Sequence, residues 1–172
     1  MQTFNANFQA VAFAANKPMA AVLNAHATEV IKIRRIYLNN PQVAAVTGVA
    51  CLLELRHYSA NPTLTTPAAA AVVSFDSTNT APTSLTTSAA ASLSGGTLTG
   101  VSKRLFWSSD EPAISSMTSD ELQCFPELNK LYEWQPHSDV QPITLRNGQG
   151  IVLFNVSGAA GLLDTYIEFT KE

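Results

Sequence analysis

The chain is predicted to fold as an all-β, antiparallel β-sandwich of jelly-roll type with one long irregular loop. Several runs alternate apolar and polar residues with period two, turn residues punctuate them at short intervals, and no helical period is sustained. A chain of 172 residues is near the usual size of one domain and buries roughly 70% of the surface its unfolded form exposes. With no internal repeat and no interdomain linker, residues 1–172 read as a single sandwich domain.

From Thr3 to Ala12 the apolar positions are Phe4, Ala6, Phe8, Ala10 and Ala12, with Thr3, Asn5, Asn7 and Gln9 between them, so a half-buried strand is predicted. Pro18 to Ala27 alternates more weakly and reads as a second strand or an extended connection. Between Thr28 and Leu38, Ile31 and Ile33 share one face, but beyond Arg35 the apolar positions shift to Ile36 and Leu38. That slip of one residue predicts a β-bulge at Arg34-Arg35. Asn39-Asn40-Pro41 stops the strand. Val49 to Tyr58 follows, with Val49, Cys51, Leu53 and Leu55 on one face and Glu54, Arg56 and Tyr58 on a wet one.

Residues 61–100 are rich in Thr, Ala, Ser and Pro, with Asp76 as their one acidic residue. Such a segment offers few large apolar groups against an ordering cost of about 1–2 kcal/mol per residue. It reads as a long irregular excursion clamped at Val72, Val73 and Phe75, and a loop of that length is a first place to look for partner contacts. Val101 to Trp107 returns to strand composition. Thr118 and Glu121 form a capping box over one helical turn, which Pro126 keeps short. Leu131 to Trp134 is a short strand.

In the last third, Pro142 to Arg146 and Ile151 to Val156 flank Asn147-Gly148, the strongest short-range hairpin signal. After a turn at Gly158 to Gly161, Leu163, Ile167 and Phe169 oppose Asp164, Tyr166 and Glu168, completing a predicted three-strand meander. Ile151 to Phe154 is apolar on both faces, as a central strand covered on both sides would be.

Charged residues make up only 13% of the chain, about half the ~25% of an ordinary soluble domain. Ser, Thr, Asn and Ala must therefore supply the surface, as they do in extended β-rich extracellular or virion proteins. A net charge of -3 and no basic run longer than Arg34-Arg35 exclude sequence-independent attraction to nucleic acid. No apolar stretch approaches the ~20 residues that span a bilayer, and Met1 to Asn5 reads as strand rather than signal peptide.

Reactive groups are sparse and badly spaced. His26, His57 and His137 lie in separate segments without metal-ligand spacing. His137, Ser138 and Asp139 have the residue types of a catalytic triad, but a triad is assembled from separated segments, so they read as an exposed loop. Gly95-Gly96 lacks the lysine of a phosphate loop and reads as a turn. Asp110, Glu111, Asp120 and Glu121 read as an acidic loop, with a hard-cation site as the sharper alternative. Cys51 and Cys124 read as buried thiols, with a disulfide as the alternative. Asn155-Val156-Ser157 matches a glycosylation sequon that follows a buried strand and is incidental. No catalytic, cofactor or metal site is predicted. Phe106, Trp107, Tyr132 and Trp134 read as core or interface anchors, or alternatively as a sugar-stacking platform.

Trp107-Ser108-Ser109-Asp110-Glu111-Pro112, Asp120-Glu121-Leu122, the run Val140 to Gly148 and the ending Tyr166-Ile167-Glu168-Phe169 resemble small virion proteins of tailed bacteriophages. Asp76-Ser77-Thr78-Asn79 followed by Ala81-Pro82 adds to the resemblance, which covers the chain from about Thr28 onward. It implies a head decoration or cement protein: a non-enzymatic homotrimer on the outer capsid surface that binds the major capsid protein and stiffens the shell. On that reading the interface residues are Phe4 and Phe8 on the first strand, Phe75 in the excursion, and Trp107, Tyr132 and Trp134. The alternative is a tail fibre or baseplate module that recognises host glycans.

Overall fold

The computed structural model describes residues 2–39, 41, 50–108, 130–157 and 161–172, leaving aside the side chains of residues 50, 51, 107, 108, 130 and 131. Among the described residues there are strands and no helix. The strands are β1 (Gln2–Ala12), β2 (Lys17–Asn24), β3 (Ile31–Asn39), β4 (Ala50–Ala60), β5 (Thr63–Thr65), β6 (Ala68–Ala69) and β7 (Ala71–Ser74). They continue with β8 (Leu85–Ala89), β9 (Ser92–Ser94), β10 (Thr97–Ser108), β11 (Lys130–Trp134), β12 (Ile143–Leu145), β13 (Gly150–Asn155) and β14 (Leu162–Lys171).

All pairings are antiparallel. The first sheet runs β11-β3-β14-β1-β7, with β12 beside β11 on the same side of β3. The second runs β10-β4-β13-β2-β8-β6, and β5 pairs with β9 in a small third sheet. The two large sheets share one core, so the molecule is an antiparallel β-sandwich. Phe4, Phe8, Ile31, Ile33, Ile36, Leu38, Leu163, Ile167 and Phe169 of the first sheet pack with Met19, Val22, Leu53, Leu55, Ile151 and Leu153 of the second. Each such side chain contributes about 1.5–3 kcal/mol by leaving water.

Two bulges shape the first sheet. Against β14, Glu168 lies opposite Arg35 and Phe169 opposite Ile33, which leaves Arg34 as the extra residue. The bulge expected from the apolar phase slip is therefore present. It puts both arginines outside while Ile31, Ile33, Ile36 and Leu38 stay buried. In β1, Gln9 and Ala10 together face Asp164, and Ala10 takes a φ of 49°. Its N–H donates to Asp164 Oδ1 at 2.6 Å, which offsets the strain of a left-handed alanine.

In the second sheet β13 is central and wholly buried, as its unbroken apolar run required. Ile151 and Leu153 enter the shared core. Val152 and Phe154 join Ala21, Leu23 and Tyr58 in a second cluster on the outer face, roofed by Leu64 and Leu93 of β5 and β9. The wet face expected for β4 is consequently covered. Tyr58 is buried there, and Glu54 is only 8% exposed, held by Arg56 at 2.8 Å and Arg104 at 3.1 Å. The Arg56 guanidinium lies 3.6 Å above the Phe154 ring.

The excursion between β4 and β10 carries five short strands. Ala70, Val72 and Leu85 clamp it to the core, whereas Val73 and Phe75, expected as clamps, are 47% and 60% exposed. The reason is register: β7 lies beside β1 with Val72 next to Ala6 on the inner face and Val73 next to Asn5 on the outer.

The C-terminal strands lie where expected but do not pair as a meander. β12 joins β3 in the first sheet, β13 joins β2 and β4 in the second, and β14 returns to the first between β1 and β3. Asn147-Gly148 is thus an arch between sheets, not a hairpin turn. Gln149 closes the turn by donating its N–H to Arg146 O at 2.9 Å, and fully buried Asn24 anchors the arch. Gly148, with φ +79°, donates its N–H to Asn24 O at 2.8 Å, and Asn24 donates its own N–H to Gln149 O at 2.9 Å. The Asn24 amide donates to Leu145 O at 3.0 Å and Glu29 O at 2.9 Å.

Candidate functional site

The six expected interface residues do not form one patch. Phe4 and Phe8 are 0% and 2% exposed, and Phe4 stacks on Phe169 with centroids 5.6 Å apart. Neither can touch a partner while the sandwich is closed, so both are core residues: their face of β1 is the inner one. Phe75 projects beyond β7, with its N–H donating to Thr3 O at 3.1 Å. Tyr132 and Trp134 are half-buried on β11 and pack against the core margin beside Leu38 and Ile36. Burial pushes the Tyr132 hydroxyl above its ordinary pKa. They therefore do not make a solvent-facing stacking platform. Trp107 pairs through its backbone with Cys51 near the end of β10, and its side chain lies outside the described residues.

The other candidate groups are local. His26 Nδ1 accepts from the backbone of Thr28 and Glu29, a loop contact. His57 Nε2 and Ser102 Oγ are 2.7 Å apart, and burial lowers the His57 pKa. His137 and Asp139 stand 3.9 Å apart on an exposed turn, with Ser138 between them. Among the described residues no three His, Cys, Asp or Glu side chains converge as a metal site would require. Asn155 is fully buried and donates to Ala14 O at 2.8 Å, so its sequon presents no acceptor. The Cys51 side chain, Cys124, the Thr118–Glu121 turn and the acidic residues Asp110, Glu111, Asp120 and Glu121 lie outside the described residues.

Two surfaces stand out instead. One is β10, an edge strand of the second sheet on which Leu98, Val101 and Phe106 are 48%, 40% and 75% exposed. Its first half is irregular against β4, with register shifts up to Lys103. From Lys103 to Ser108 the pairing is continuous. No strand among the described residues occupies its far side; Phe106 stands in the regular stretch, and Leu98 and Val101 in the irregular one.

The other is the outer face of the first sheet. Arg35, Tyr37 and Asn39 of β3 lie beside Glu168, Tyr166 and Asp164 of β14, with Asn5 and Asn7 of β1 next in line. Arg35 pairs with Glu133 at 2.5 Å and Glu168 at 3.6 Å. The Tyr37 and Tyr166 rings are 6.2 Å apart. The Tyr166 hydroxyl donates to Asp164 Oδ2 at 3.3 Å. Its pKa is raised by burial and then by the Asp164 charge. The sequence placed Tyr166 on the wet face but did not single out Tyr37. The signal available for it was the bulge, which sets Arg35, Tyr37 and Asn39 on one outward row.

Comparison with known proteins gives no match among family models, curated proteins or solved structures.

Proposed function

We propose that the chain is a non-enzymatic structural subunit of a tailed-phage virion, a capsid decoration (cement) protein that binds the major capsid protein as a homotrimer. The observation that carries the reading is the β10 edge. A long strand with exposed Leu98, Val101 and Phe106 and, among the described residues, no neighbour on its far side is an aggregation hazard unless a partner covers it in the working assembly. Strand addition there would supply main-chain hydrogen bonds, with the side chains fixing register. Repetition over a shell lets modest contacts hold firmly through multivalency.

The strand order supports a jelly roll in the same reading. β1, β14, β3 and the β11-β12 pair make one row, and β2, β13, β4 and β10 the other. From β1 to β4, and again from β10 to β14 with β11 and β12 counted as one, the chain changes row at every step. Such alternation supports a path of two Greek keys.

Sedimentation of the purified chain tests the edge directly. The unaltered protein is expected to associate, and Phe106→Asp combined with Val101→Glu to leave a folded monomer. Virions assembled without the chain should release their genome at lower temperature. A chain that stays monomeric at all concentrations, together with unchanged heat resistance of those virions, would overturn the reading.

A further inference from the structure

We propose that the outer face of the first sheet holds a neutral saccharide chain, in the groove lined by Asn5, Arg35, Tyr37, Asn39, Tyr166 and Glu168. The groove encloses about 280 Å³, at the small end of the roughly 300–1,000 Å³ of ligand pockets. It suits a segment of an extended chain better than a swallowed molecule. Its lining includes the two tyrosines, with the Arg35 guanidinium 5.5 Å from the Tyr37 ring centroid, and the C–H face of a sugar would pack on the ring surface that remains while the hydroxyls stay polar.

The polar groups around them are plentiful and incompletely paired. Asn5 Oδ1, Asn7 Oδ1 and Arg35 Nε are buried without a hydrogen-bond partner. A buried polar atom left so costs about 1–3 kcal/mol. A hydroxyl-rich ligand that lets these side chains reorient supplies what they lack. The groove is also held in shape by the two bulges. That in β3 sets Arg35 outward between Glu133 and Glu168. That in β1 brings the Ala10 N–H onto Asp164, which in turn receives the Tyr166 hydroxyl.

Charge narrows the ligand. Among the described residues Glu133 and Glu168 flank the Arg35 guanidinium, and Asp164 lies farther along β14, so the groove and its rim disfavour sialylated or sulphated chains and phosphate backbones. A protein contact would use large exposed apolar groups, and among the described residues those next to this face, Val73 and Phe75, stand at the β7 margin and not in the groove. The proposal is independent of the β10 edge, which lies on the other sheet.

The test is a printed array of neutral hexose and N-acetylhexosamine oligosaccharides beside sialylated and sulphated ones, probed with the full chain. The best neutral ligand is then titrated calorimetrically. Neutral chains should bind and acidic ones should not. Tyr37→Ala and Tyr166→Ala should each weaken binding about tenfold, the loss of one aromatic contact, while Tyr166→Phe retains most of it. Asn5→Ala and Asn7→Ala carry the same expected loss should a tyrosine variant melt early. An array without a neutral ligand, a preference for acidic chains, or affinity unmoved by the alanine changes overturns the proposal.

Discussion

The two sides of the sandwich end differently. On one side the excursion finishes both sheets with scraps of strand: β6 has two residues and β7 four. On the other the second sheet ends in the twelve residues of β10. Short terminal strands offer too little backbone to template pairing with another chain. The neutral Thr/Ala/Ser composition of residues 61–100, which looks featureless alone, is therefore a means of closing an edge without charge. β10 has some protection of its own, through its register shifts and exposed Lys103 and Arg104. Yet it keeps three large apolar groups in water. The contrast teaches that exposure here is selective: among the described residues one side ends in short strands and the other in a long strand with no neighbour beyond it.

The sealed side is broken most severely from beneath its roof. Phe154→Ala should destabilise by about 3–5 kcal/mol, the usual cost of emptying a buried phenylalanine site, read from chemical denaturation. A smaller loss is expected where the excursion rejoins β4. Gly96 has φ +74°, and a Cβ there would meet Ala60 O and Pro62 N, both backbone atoms, at 2.8 Å. Gly96→Ala should cost about 2 kcal/mol from left-handed strain and that clash, seen as a lower midpoint with an unchanged denaturant slope. The open side should respond the other way. Phe106→Asp is expected to alter stability by about 0.5 kcal/mol or less, as surface changes do, while removing association in sedimentation.

The smallest effect concerns pH at the foot of the open edge. Burial holds the His57 imidazole below its ordinary 6.5, so the unfolded chain binds its proton first as pH falls. Its contribution to stability is complete above 6.5 and is lost as pH drops from there to the folded value. Melting temperature should decline over that window, and the decline should flatten in His57→Gln.

Much of the strand pattern was legible because one-sided burial writes itself as period two. β14 follows it, and the β3 bulge is visible as a broken phase. β1 follows it only as far as Phe8, beyond which a bulge exposes Ala10 and Ala12, expected on the apolar face, and turns Val11 to the core. β2 was faint for a physical reason: it is buried on both faces, which erases alternation. What the sequence did not reveal was pairing. Asn147-Gly148 has hairpin chemistry and closes a local turn, with Gln149 N–H donating to Arg146 O, but the arch is anchored by Asn24, far away in the chain. A local turn signal cannot say which sheet comes next. The surface was hidden for a similar reason. Phe4 and Phe8 share the alternation of an interface strand and a core strand alike. Tyr37 and Tyr166 become neighbours only when β3 and β14 pair.

That arrangement also governs when the molecule can come into being. β14 is the bridge between β1 and β3, with Lys171 beside Gln2 at one end of the ladder. Nearly every stabilising pair joins distant parts of the chain, a topology associated with slow folding. The first strand must therefore stay without one of its two neighbours during synthesis until Leu162–Lys171 has left the ribosome, and any cut that removes those residues should abolish the native state rather than shorten it.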